Sequence, residues 1–260
     1  MIRFEQVTKY FGERKVLDGH DFTIEEGETF VIVGFSGAGK SVTLKHMIRL
    51  LTPDEGRVLV GGEAISEAGG RDLERLRRQF GFLFQGAALL EWLTVLENVA
   101  LPLREKTDWP DDRILALARE KLKLVGLEHA SNQHPAELSG GMRKRVGLAR
   151  AIVGEPRIIL YDEPTSGLDP VTSRAIDQLI DDLRVNLKVT SVVVTHDLFS
   201  ALTIGTRIAM IHQGKVIEIS SPPEFIRSRQ PDVRKFLSAQ YITKRGPWER
   251  IHHETQQPHA

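Results

Sequence analysis

The stretch Gly34-Phe35-Ser36-Gly37-Ala38-Gly39-Lys40-Ser41 leaves a chain of this kind few folds to choose from. Its spacing, Gly-x-x-x-x-Gly-Lys-Ser, is that of a phosphate-binding loop. Phosphate oxygens need several N–H donors converging on one point. A glycine-rich turn supplies them, because glycine tolerates positive φ and lets successive amides face inward. Lys40 is placed to set its ammonium on the β and γ phosphates of a nucleotide, and Ser41 to offer its hydroxyl to Mg²⁺. The flanks agree. Thr29 to Val33 is a short apolar run that reads as a buried parallel strand. After Ser41, apolar residues recur at Val42, Leu44, Met47, Ile48 and Leu51, which predicts a helix whose positive N-terminal end faces the phosphates.

A length of 260 residues suits one large α/β domain or a core plus a subdomain. Lys plus Arg equals Asp plus Glu, 35 each, so no global field draws the chain to nucleic acid or an anionic surface. The absence of cysteine excludes disulfides and thiolate metal sites. The apolar runs fall far short of the roughly 20 residues that span a bilayer, and Met1 to Glu5 has no signal-peptide core. A soluble protein is expected, with any membrane role reached through a partner.

The start of the chain, ahead of the phosphate loop, reads as β, with Ile2, Phe4 and Val7 in one strand and Phe22 and Ile24 in another. From Gln85 to about Gly154 the pattern turns helical. Thr94 is the expected N-cap of a helix over Val95 to Leu103 that Pro102 ends or bends, and Asp111 the expected cap of the next. A third helix is expected over Gly141 to Val153. Strand and helix then alternate: strands at Ile158 to Tyr161 and Thr190 to Thr195, a helix over Val171 to Leu187, and a hairpin around Gln213-Gly214. Such alternation implies a mostly parallel sheet flanked by helices. Residues 1–240 are expected to form a single domain, with a helical subdomain at about 86–154 inserted into it. The tail 241–260 is expected to be flexible or ordered by a partner.

Further signals follow the loop in order. Ile158 to Tyr161 is an apolar strand ending in Asp162 and Glu163, which puts both acids at the carboxyl edge of the sheet, where open α/β folds bind ligands. Asp162 suits Mg²⁺ coordination and Glu163 the base that polarises an attacking water. Gln85, Leu138-Ser139-Gly140-Gly141-Met142, Ser166-Gly167-Leu168-Asp169 and His196 complete the series. In this order the motifs resemble an ABC-type ATPase subunit, up to about Ala239. The resemblance implies a P-loop NTPase core with an N-terminal antiparallel β-subdomain and an inserted helical subdomain, binding ATP and Mg²⁺. It implies two copies facing head to tail, with ATP held between the phosphate loop of one and Ser139, Gly140 and Gly141 of the other. By the same resemblance Gln85 senses Mg²⁺ and the water, and His196 contacts the γ-phosphate. Asp169 links the two sites across the dimer. Phe11 stacks on adenine with Val16 nearby; Tyr10 is the neighbouring candidate, and either aromatic could instead be core.

The flanks Val42-Thr43-Leu44-Lys45, the run from Gln85 to Arg104, and Met142 in place of the usual glutamine resemble Mla-type lipid-trafficking ATPases. Leu90 departs from the phenylalanine expected there. This finer resemblance implies an ATPase pair on the cytoplasmic face of the inner membrane, beneath an integral permease. It also implies an MCE-domain protein, a STAS-like regulator and phospholipid as cargo between inner and outer membranes, with no nucleic acid. Leu89 to Leu93 is either the socket for a permease coupling helix or ordinary core. The alternatives are an amino-acid-type importer and a switch without turnover; Glu163 argues against the latter, which needs no base.

Overall fold

The structure is a computed structural model that describes residues 1–240. The chain divides into two compact units, residues 1–67 with the segment from 193 onward, and residues 68–192. The tail 241–260 lies outside the described residues.

In the first unit, β1 (Ile2–Phe11), β2 (Arg14–Ile24), β4 (Glu55–Val60) and β5 (Glu63–Ala64) form a four-stranded sheet in the order β2-β1-β4-β5. The pairings of β1 with β2 and of β4 with β1 and β5 are antiparallel. Alternate residues bury Ile2, Phe4, Phe22 and Ile24, and register sets Ile2 against Ile24 and Phe4 against Phe22. Phe22 stacks on Phe4 at 4.6 Å and on Phe30 at 5.4 Å, joining this sheet to β3 (Thr29–Val33). All five residues of β3 are buried, as expected for a strand covered on both faces. It pairs in parallel with β9 (Arg207–His212), which pairs antiparallel with β10 (Lys215–Ser220) at the edge. Helices α1 (Lys40–Met47), α7 (Leu198–Ile204), α8 (Pro222–Ile226) and α9 (Pro231–Ala239) complete the unit.

The second unit holds α2 (Gly70–Arg77), β6 (Phe80–Leu83), α3 (Val95–Lys106), α4 (Asp111–Leu124), α5 (Gly140–Ile152), β7 (Ile158–Asp162) and α6 (Pro170–Leu187), with β8 (Thr190–Val194) at its boundary. Strand order is β8-β7-β6, and β6 runs parallel to β7. Both β7 and β8 are buried throughout.

Two local expectations are corrected. Pro102 does not end α3, which runs on through it to Lys106. The proline removes only the donor to the Asn98 carbonyl, and buried Leu96, Val99 and Leu103 hold the helix on either side of that gap. Asp111 does not cap α4. Pro110 takes the cap position, and Asp111 in the first turn forms a salt bridge with Arg104 at 2.7 Å. Thr94 does cap α3, in a reciprocal capping box with Glu97. No helix among the described residues is long and apolar enough to cross a membrane.

Candidate functional site

The first unit carries the phosphate loop. Gly34, with φ +154°, leaves β3 so close to β9 that a Cβ would lie 2.3 Å from the Ile211 carbonyl oxygen. Gly39, with φ +105°, begins α1, and a Cβ there would lie 2.9 Å from both the Val16 carbonyl oxygen and Leu17 Cδ2. Both positions therefore require glycine, for space and for backbone conformation. Ser36 and Gly37 sit exposed at the crest, Ala38 is buried, and Ser41 and Val42 lie half-buried on the first turn of α1. The Lys40 ammonium folds back over the loop, donating to the Gly34 carbonyl at 2.9 Å and the Phe35 carbonyl at 3.2 Å. No side chain caps α1. A glycine cradle, a cation above it and a helix N-terminus without a side-chain cap are the chemistry that a phosphate group needs.

Val16 is brought against this loop through its carbonyl at Gly39, and Arg14 donates to the Gly37 carbonyl at 3.3 Å. Phe11 is 48% exposed at the end of β1, so it is surface rather than core; Tyr10 is half-buried. The Phe35 ring is spoken for, edge-on to Phe236 of α9 at 5.2 Å and to His212 at 5.7 Å. The Thr195 N–H donates to the Ile32 carbonyl at 3.1 Å, so the His196 turn emerges beside β3. The His196 side chain is exposed, while its carbonyl accepts from Gln240 Nε2 at 2.8 Å. Gln240 Oε1 accepts from the Leu198 N–H at 2.9 Å, completing a clip around the turn.

The second unit carries the acids and the Ser-Gly-Gly turn. Asp162 and Glu163 are 7% and 8% exposed at the end of β7. Glu163 has φ +50°, a left-handed conformation that costs a non-glycine residue about 1 kcal/mol or more. Lys144 of α5 reaches that turn and donates to the Glu163 carbonyl at 3.0 Å and also to the Gln85 carbonyl. Burial pushes the Lys144 pKa down, opposed by the charges of Asp162 and Glu163. After Gln85, whose side chain is exposed, Ala87 and Ala88 also have positive φ. Arg150, again from α5, donates to the Ala88 carbonyl at 2.6 Å and to the Ala87 carbonyl.

Ser139 caps α5, its hydroxyl accepting from the Met142 N–H at 3.2 Å. A Cβ on Gly140 would lie 3.2 Å from Leu168 Cδ2, and one on Gly141 only 2.5 Å from Thr172 Cγ2. Thr172 in turn donates its hydroxyl to Asp169 at 2.5 Å. That bond comes first among the causes holding the Asp169 carboxyl below the usual carboxylate range. Ser139, Gly140, Gly141 and Asp169, read from separate stretches of sequence, thus share one patch.

Residues 17–166 match the ABC transporter family. The chain belongs to that family. It is similar to the probable ribonucleotide transport ATP-binding protein mkl of Mycobacterium leprae (strain TN), 40% identical over 241 residues, which span 93% of this chain and 70% of that one. It is also similar to the methionine import ATP-binding protein MetN of Clostridium tetani (strain Massachusetts / E88), 39% identical over 244 residues, or 93% of this chain and 76% of that one. Among solved structures, a dimeric ATP-binding cassette in a post-hydrolysis state bound to ADP and Pi superposes with a TM-score of 0.78 at 37% identity. The match covers 85% of this chain and 99% of that one. The chain is an ABC transporter ATPase subunit with the P-loop ABC fold.

Sequence reasoning missed four residues of this ABC ATPase: Lys144, Gln240, Thr172 and Arg14. Lys144 left a trace. It stands on a helix, Gly140–Ile152, most of whose residues are buried, and it is buried where Arg143, Arg145 and Arg150 of the same helix are not. A cation there needs polar partners. The other three lie on exposed or half-buried positions and carry no such mark.

Proposed function

We propose that this ATPase drives phospholipid trafficking between inner and outer membranes, as a head-to-tail pair of identical chains beneath an integral permease on the cytoplasmic face. The partners are a permease, an MCE-domain protein and a STAS-like regulator. The observation that carries permease docking is the loop from Leu89 to Leu93. Asn98, fully buried, accepts from the Leu90 N–H at 2.8 Å and donates to the Leu90 and Leu93 carbonyls at 3.0 and 3.1 Å. The pinned loop presents Trp92 at 74% exposure, which is not ordinary core. In the same unit a cavity of about 560 Å³ is lined by Phe82, Phe84, Trp109, Lys106 and Arg113, room for a partner's apolar side chains.

In the catalytic step a water oxygen bonds the γ-phosphorus as the bond to the bridging oxygen breaks, its electron pair leaving on ADP. Glu163 accepts the proton from that water. Lys40 and the amides of Gly37 to Ser41 neutralise the phosphates, while Phe11 and Val16 hold the base. Ser139, Gly140 and Gly141 close on the γ-phosphate of the facing chain, and Asp169 joins the two sites. His196 and Gln85 orient the water. Ser41, Asp162 and Gln85 supply a hydroxyl, a carboxylate and an amide, an all-oxygen donor set that suits Mg²⁺, which when bound polarises the γ-phosphate.

The lipid assignment rests on Met142 and the run from Gln85 to Arg104. The second reading, a small-solute importer, is favoured by the likeness to proteins named for methionine import. The deciding experiment is gentle extraction of the tagged chain from native membranes. A permease with an MCE-domain protein and bound phospholipid supports lipid trafficking. A permease with a small-solute binding protein overturns the cargo and leaves the ATPase untouched.

A further inference from the structure

Two stretches that the hydrolytic reaction relies on, the turn at Glu163 and the loop at Gln85, are distant in sequence and carry strained backbone. Glu163, Ala87 and Ala88 all have positive φ. Such conformations persist only where surrounding contacts over-determine them. One side chain reaches both stretches. Lys144 is 5% exposed, and its ammonium donates to the carbonyls of Gln85 and Glu163. Its helix is the one Ser139 caps, so the same rigid element also presents the Ser-Gly-Gly turn. Gly147, one turn further along, lets α5 approach closely; a Cβ there would lie 2.6 Å from Leu83 Cδ1 and 3.2 Å from Ala87 Cβ.

We propose that Lys144 is a positioning residue, clamping the Gln85 loop to the Glu163 turn so that the base and the water-orienting amide move as one body with α5. The inference rests on the reading of Glu163 and Gln85 as the groups that handle the attacking water. Lys144 acts through two backbone carbonyls, and its loss frees the Glu163 peptide to leave the left-handed conformation and carry the carboxylate with it. A displacement of about 1 Å at a catalytic group costs on the order of 10²-fold in rate.

The test is steady-state ATP hydrolysis and ATP affinity of the full chain carrying Lys144→Met, Lys144→Arg or Glu163→Gln. The expected result for Lys144→Met is a kcat reduced roughly 10- to 100-fold with KM and ATP affinity within about twofold. Lys144→Arg, whose guanidinium can fork between two carbonyls, restores most of the rate. If Lys144→Met loses its cooperative thermal transition, Lys144→Gln, which keeps an N–H donor, is read in its place. A kcat within about twofold of wild type, a change confined to KM, or a Lys144→Arg variant as slow as Lys144→Met overturns the proposal. Glu163→Gln separates the failures. Full turnover in that variant removes the reading of Glu163 itself, whereas an inactive Glu163→Gln beside an unimpaired Lys144→Met removes only the clamp.

Discussion

Acid places a proton on His20 that the fold cannot accommodate. His20 lies on β2, fully buried, with Nε2 at 2.9 Å from the Gly214 carbonyl. A carbonyl only accepts, so Nε2 carries the hydrogen and Nδ1 holds the lone pair. Nδ1 is buried and has no hydrogen-bond partner. A second proton would set a charge in that apolar surrounding, and desolvation, more than the opposing Gly214 bond and Asp18 charge, lowers the pKa from the ordinary 6.5 to about 4. Between those values the unfolded chain binds a proton that the folded chain refuses. The stabilisation is therefore complete above about pH 6.5 and falls as pH drops toward 4, by roughly 3 kcal/mol at about 1.4 kcal/mol per tenfold change. His46, also buried, is shifted in the same direction.

The assay is urea unfolding followed by circular dichroism, from about pH 7.5 to about pH 4.5, for wild type and His20→Gln. Glutamine keeps a donor for Gly214 and does not titrate. Carboxylates and His46 contribute to both curves and cancel in the difference. Wild type should lose roughly 2 kcal/mol more than the variant across the window. Parallel pH curves would refute the assignment of a buried neutral imidazole.

Glu163→Gln removes the proton acceptor and keeps the shape. Phosphate release should fall by about 10²-fold or more while ATP now holds a dimer visible in size-exclusion chromatography. Lys40→Ala leaves the glycine cradle without its cation, and ATP affinity measured by calorimetry should drop at least about tenfold. Gly141→Ala drives a Cβ into Thr172 Cγ2 at 2.5 Å, so Thr172 and with it Asp169 must shift. The expected cost is about 1–3 kcal/mol in thermal or urea stability together with slower hydrolysis.

The sequence by itself determined the parts whose chemistry is local. Gly34 to Ser41 could be read because phosphate binding demands particular residue types at fixed spacing, and Thr29 to Val33 and Ile158 to Asp162 because doubly covered strands are continuously apolar. Thr94 was legible as a cap from its own neighbourhood, whereas the status of Asp111 turned on Arg104 in the preceding helix. Whether Phe11 was core or surface could not be read, because an aromatic at a strand end suits both. What only the tertiary structure decided are contacts between residues far apart in the chain. The clamp of Lys144 spans 59 residues to Gln85 and 19 to Glu163, and the clip of Gln240 on His196 spans 44. The Ser-Gly-Gly turn meets Asp169 only through Thr172. Such contacts depend on where helices dock on strands, and docking is set by packing summed over the whole core, which no short stretch of sequence encodes.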